Sequence, residues 1–155
     1  MKTLVGLSFL SIFLLISCSK ENLYNESASF ADSTKITRVL EEKVITAMAD
    51  RKKKTISTLY GNDIASEHAR NSADHQYPSG SELSLVTWSQ KEDIQWYGAN
   101  IPGEIKSIEI VKYQTPDSAT LEHYEGKTLQ LRKTNFEISM SRIGYISGLR
   151  GAVLP

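Results

Sequence analysis

The sequence predicts an α+β fold, a twisted antiparallel β-sheet with helices packed on it. Three observations carry that prediction. Between Thr55 and Glu125, β-favouring runs follow one another across short turns, and strands so closely joined run antiparallel. Apolar residues at helical spacing flank these runs on both sides. The 155 residues suit one domain and are too few for two full cores.

The first element is expected to be a helix. Asp32 and Ser33 are good N-caps, and Ile36, Val39, Leu40, Val44, Ala47 and Met48 form a stripe that leaves Arg38, Glu41, Glu42 and Asp50 outside it. The run Arg51-Lys52-Lys53-Lys54 then reads as a solvated helix end, where cations suit the dipole; the sharper alternative is a contact with an anionic surface. Residues 55–60 read as a strand, Gly61-Asn62 as a turn, and Asp63 as the start of a short helix through Ala69. Tyr77-Pro78-Ser79-Gly80 is a turn. Residues 81–90 read as a central strand, because Leu83 and Leu85 point one way and Val86 and Trp88 the other. Ile101-Pro102-Gly103 is expected to turn the chain. Residues 105–113 form the next strand, with Ile108 and Ile110 inward and Lys106 and Lys112 outward, and residues 121–125 another. A closing helix from about Thr134 shows Ile138, Arg142, Tyr145, Ile146 and Leu149 as its stripe, weakened by Gly144 and Gly148.

The N-terminus reads as an address. Lys2 supplies a positive start, residues 4–16 are apolar apart from Gly6, Ser8 and Ser11, and small Ser17 precedes Cys18. The apolar run has the length of a signal h-region, roughly 7–15 residues, and falls short of the roughly 20 that span a bilayer. Leu15-Ile16-Ser17-Cys18 resembles the bacterial lipobox, which implies cleavage before Cys18 and lipid on its sulfur. The expected organisation is a signal peptide over 1–17, a lipidated Cys18 and polar tether over 18–31, and a folded domain over 32–155. That places the domain in the bacterial cell envelope, anchored to a membrane through palmitate-type acyl chains and facing the periplasm or the exterior.

Composition narrows the function classes. Lys plus Arg and Asp plus Glu each number 18, so the basic surplus of a nucleic-acid binder is missing and no nucleic-acid partner is expected. The single Cys excludes an internal disulfide, a cysteine metal cage and a C-x-x-C-H haem attachment. No phosphate loop, dinucleotide fingerprint or G-x-S-x-G elbow occurs. His68, His75 and His123 do not pair at metal-ligand spacing. His123, on a strand face with Leu121 and Glu125, is the one candidate metal ligand. Glu109 sits mid-strand among apolar residues; it is either salt-bridged to an Arg or Lys, or a pocket acid. Trp88, Trp96, Tyr97 and Tyr124 are either core or the wall of an apolar pocket, and Trp88, Trp96, Tyr97 and Glu109 are the pocket candidates.

Several segments together resemble the cytochrome P-460 family. They are Thr58-Leu59-Tyr60-Gly61-Asn62-Asp63, Tyr77-Pro78-x-Gly80, Leu85-Val86-Thr87-Trp88, Asp93-x-x-Trp96-Tyr97-Gly98-Ala99-x-Ile101-Pro102-Gly103 and Ile108-Glu109-x-Val111. The closing 149–155 is similar to the tail of members lacking the haem motif. The resemblance implies an antiparallel sheet with helices, often dimeric, so a homodimer is a candidate assembly. In haem-bearing members it implies c-type haem, with hydroxylamine oxidation or binding of small gases such as nitric oxide. Here no cysteine follows Cys18 and no histidine follows His123, so covalent haem attachment does not carry over. No cofactor is expected unless haem binds without thioether bonds. The reading is a lipoprotein with a cytochrome P-460-like domain that binds an unknown small ligand or partner, leaning away from catalysis. The alternative is a non-covalent haem protein for nitric oxide or electron transfer, and behind it a hydroxylamine-oxidising enzyme.

Overall fold

A computed structural model describes residues 25, 28–29, 38–72 and 74–149. Cys18, the leader, the caps Asp32 and Ser33, and residues 150–155 lie outside the described residues. Among the described residues, six strands form one antiparallel sheet in the spatial order of the chain. They are β1 (Lys43–Asp50), β2 (Thr55–Gly61), β3 (Glu82–Glu92), β4 (Asn100–Thr115), β5 (Ser118–Glu125) and β6 (Gln130–Arg132). Helix α1 (Asp63–Asn71) follows β2, and α2 (Phe136–Ser147) closes the described chain. Among the described residues no helix is long and apolar enough to cross a membrane. The α+β sheet with packed helices is therefore as the sequence predicts.

The first element corrects the expectation. Residues 38–48 are not an α-helix: Arg38–Glu41 makes a 3-10 turn and β1 follows. Val44-Ile45-Thr46 are consecutive β-branched residues, stiff in a helix and suited to a pleated surface. Val44 and Thr46 pair with Tyr60 and Leu59 of β2, and the irregularity between them turns Ile45 into the core. The helical spacing of the apolar residues was coincidental. The basic run is accordingly not a helix end but the loop joining β1 to β2. Asp50 Oδ1 accepts from the backbone N–H groups of Lys52 and Lys53 at 2.9 and 3.0 Å, and Lys54 closes the turn at φ 52.

Two further expectations change. Ile101-Pro102-Gly103 does not turn the chain but lies within β4, with Pro102 opposite Gln90. A Cβ on Gly103 would come within 2.6 Å of Ser89 Oγ, so the strands approach closely there. The turn itself lies between Glu92 and Asn100, with Gly98 at φ 79. Lys112 does not oppose Ile108 and Ile110, because the two-residue strand period puts all three on one face; its ammonium lies 3.4 Å from Glu122 Oε1.

The central strand behaves as predicted, with both faces buried. Leu83 and Leu85 join Leu59, Tyr77, Val111, Tyr113, Ile143 and Ile146 in the core under the helices. Val86 and Trp88 join Val39, Ile105, Ile108, Ile110 and Leu129 on the opposite face. Helix α1 starts at an Asn62 cap whose Oδ1 accepts from Ala65 N at 3.0 Å, and α2 at an Asn135 cap that accepts from Ile138 N at 2.8 Å. The buried stripe of α2 is Ile143 and Ile146; Ile138 and Tyr145, expected to share it, are about half exposed. Among the described residues no α-helix covers the second face, and the candidate site lies there.

Candidate functional site

Alternation along the strands builds the site. Tyr60, Ser84, Ile110 and Glu122 stand opposite one another on β2, β3, β4 and β5, forming a row across the face away from the helices. Beside it, Glu82 faces Lys112. The 3-10 turn Arg38–Glu41 and Glu42 pass over this end of the sheet. Between them lies a cavity of about 770 Å³.

Its wall is charged. Arg38, Lys43 and Lys112 face Glu41, Glu42, Asp63, Glu82 and Glu122, while the larger apolar contributions are Val39 and Ile110. Two cations are already engaged. Lys43 Nζ lies 2.7 Å from Asp63 Oδ1, and that hydrogen bond with the ammonium charge holds the Asp63 carboxyl below its usual range. Lys112 meets Glu122, whose other oxygen accepts from the Tyr124 hydroxyl at 3.1 Å. Burial, then the hydrogen bond to Glu122, pushes the Tyr124 phenol up.

Glu42 is different. Burial, and secondarily the negative charge of Glu82, pushes its carboxyl up to about 7. The Ser84 hydroxyl faces it and opposes that rise, yet among the described residues neither Glu42 Oε2 nor Ser84 Oγ has a formed hydrogen bond. A half-buried carboxyl lacking a close partner, beside a second carboxylate, suits a ligand that brings a positive charge or a donor proton. At neutral pH the group is also poised to take or release a proton. The wall holds no histidine or cysteine. Among the described residues no cluster of three His, Cys, Asp or Glu could hold a metal ion.

Of the aromatics singled out in the sequence, Tyr124 lines the cavity; the other sequence-picked residues lie elsewhere. Trp88 is 5 % exposed in the second-face core, and its Nε1 donates to Ala28 O at 3.2 Å. Trp96 and Tyr97 stand out in the β3–β4 loop, Trp96 70 % exposed, and do not line the charged cavity. Glu109 is buried beneath α2, where Arg142 grips it with Nε on Oε1 at 2.8 Å and Nη2 on Oε2 at 2.5 Å. It is the salt-bridged member of the two alternatives. His123 sits opposite Glu109 on the helix-covered side, with Arg132 as its other strand neighbour, and does not line the cavity. None of the four pocket candidates lines it either. Reading the sequence missed Glu42, Glu82 and Glu122. The first was assigned to the solvated side of a helix that is a turn and a strand. The signal for Glu122 is its pairing with Ile110, which requires the register of β4 on β5.

A comparison with protein-family models matches residues 38–124 to Cytochrome P460. No curated protein matches the chain.

Proposed function

Because the chain belongs to the Cytochrome P460 family yet surrounds its cavity with carboxylates, we propose that it is a membrane-anchored envelope lipoprotein using the family's sheet as a binding scaffold. The cavity takes a small organic cation, such as an amine, and performs no catalysis. The half-buried Glu42, without a protein hydrogen bond on Oε2 and next to Glu82, is the observation that carries this reading. Anchoring rests on the lipobox-like Leu15-Ile16-Ser17-Cys18.

The family points to a haem-related function, and the cavity residues do not fit that group. A porphyrin needs a largely apolar slot and an axial ligand. Here nine ionisable side chains line the wall and, among the described residues, none is a histidine or thiol. His123 lies on the other face, between Glu109 and Arg132.

Calorimetric titration with putrescine, with acetate as control, tests the reading. Binding should strengthen as pH rises through about 7, where Glu42 ionises, and Glu42→Gln should remove that dependence. Putrescine binding no better than acetate would refute it. Family membership supports the alternative of non-covalent haem for nitric oxide or electron transfer. A near-stoichiometric Soret band on haem titration, lost in His123→Ala, would establish that alternative; hydroxylamine-dependent reduction of an electron acceptor would establish an enzyme.

A further inference from the structure

The sheet's other end carries a second, unrelated set of features. The β3–β4 loop exposes Ile94, Trp96 and Tyr97, with relative exposures of 97 %, 70 % and 108 %. The loop is braced, because Asp93 N donates to Ala99 O at 3.1 Å and Ala99 N to Trp96 O at 3.0 Å. These apolar side chains are therefore held outward. The basic loop Arg51–Lys54 lies alongside: Gln90 N donates to Lys54 O at 2.9 Å, and Gln90 is two residues from the last pair of β3 with β4. Lys91 adds a fifth cation, against the carboxylates of Asp50, Glu92 and Asp93; Asp50 is bound to its own loop's N–H groups.

The N-terminal segment runs toward this same end. Ala28 O is level with Trp88, and Asn25 Nδ2 donates to Pro102 O, further toward the tip. Six residues lie between Cys18 and Asn25, and the seven steps from one to the other span at most about 25 Å. An acyl chain on Cys18 thus keeps a bilayer within reach of the tip.

We propose that the tip formed by Ile94, Trp96, Tyr97 and Arg51–Lys54 docks on an anionic phospholipid bilayer. Tryptophan and tyrosine favour the headgroup level, and clustered cations are drawn to anionic lipid. The proposal shares only the anchor at Cys18 with the functional reading and is independent of the cavity.

The full chain, purified from membranes and reconstituted in vesicles, provides the test. Bilayer-embedded brominated lipid should quench tryptophan emission at least about twofold more in phosphatidylcholine–phosphatidylglycerol than in phosphatidylcholine alone. Trp96→Phe should abolish that quenching. Arg51→Gln with Lys52→Gln, Lys53→Gln and Lys54→Asn should lower it to the phosphatidylcholine level, with an unchanged melting temperature showing that the fold is kept. Asn is chosen at 54 because it tolerates the positive φ. Mass analysis of the N-terminal peptide reads the anchor separately. Lipid on Cys18 with Trp96 open to aqueous acrylamide and untouched by brominated lipid would overturn the docking and leave the anchor standing. A chain without lipid should still sediment with phosphatidylglycerol vesicles and lose that with the four loop substitutions; failure to sediment would overturn the docking. Burial of the tip by a co-purifying protein rather than lipid would also overturn it.

Discussion

Glu109 and Glu42 lie toward opposite faces of one sheet and are treated in opposite ways. Glu109 is 4 % exposed, and both its oxygens are taken by the Arg142 guanidinium. That fork, delivered by α2, matches the desolvation of the carboxylate with two charge-assisted bonds. Glu42 is half-buried with an oxygen unpartnered, and its proton is held up to about 7. The difference follows from cover. A helix laid across one face supplies a rigid partner, whereas among the described residues a short 3-10 turn across the other supplies burial without one. The face that is finished carries structure, and the unfinished one is where a ligand can contribute.

The largest effect expected lies on the less covered face. Trp88→Ala should cost about 3–5 kcal/mol in denaturant unfolding, since that ring is core rather than pocket wall. A loss below about 1 kcal/mol would mean that this face is not packed and that the contrast is false. On the helix-covered face, Arg142→Ala should cost about 2–4 kcal/mol by stranding a buried carboxylate, less than for a fully enclosed pair because Arg142 is partly exposed. Replacing Glu109 and Arg142 together by methionine should recover most of it; an unchanged deficit in the double variant would place the cost in packing instead.

Glu42 gives the next effect and the opposite sign from a paired carboxylate. Its folded-state value of about 7 stands above the ordinary 4.5, so the folded protein holds an extra proton between those limits. Stability contributed by the neutral carboxyl is present below about 4.5 and is lost as pH rises to about 7. With half the side chain near water the swing is about 1 kcal/mol. Glu42→Gln should flatten that part of the pH–melting profile, while Glu109→Gln should not mimic it. Smallest of all, Trp96→Ala should change stability by less than about 0.5 kcal/mol, because the ring is outside the core. A loss comparable to that of Trp88→Ala would remove the distinction between the tip and the faces.

How much of this was legible in the sequence depends on how local each signal is. The central strand announced itself, because apolar residues at both parities leave only a doubly covered strand. The Asn62 cap and the helix after it were equally local. The first element failed because alanines and β-branched residues at mixed spacing fit either period, and pairing with β2 decided the matter. Pro102 looked like a turn because its neighbour is a glycine; that glycine instead lets β4 approach Ser89. The site was least legible. Glu109 could be read as a carboxylate needing a cation, but choosing Arg142 over pocket chemistry required α2 to be laid on the sheet. Glu42, Glu82 and Lys112 come from three separated segments, and no spacing along the chain links them.

The strand order carries one more consequence. Each strand's neighbour in space is also its neighbour along the chain, with no crossover anywhere in the sheet. Apart from the β2-to-β3 connection that holds α1, the loops to be closed are short, and contacts of short sequence separation favour rapid folding. Hairpins on either side of α1 can each form from neighbouring chain, and only the joining of β2 to β3 brings a longer segment together.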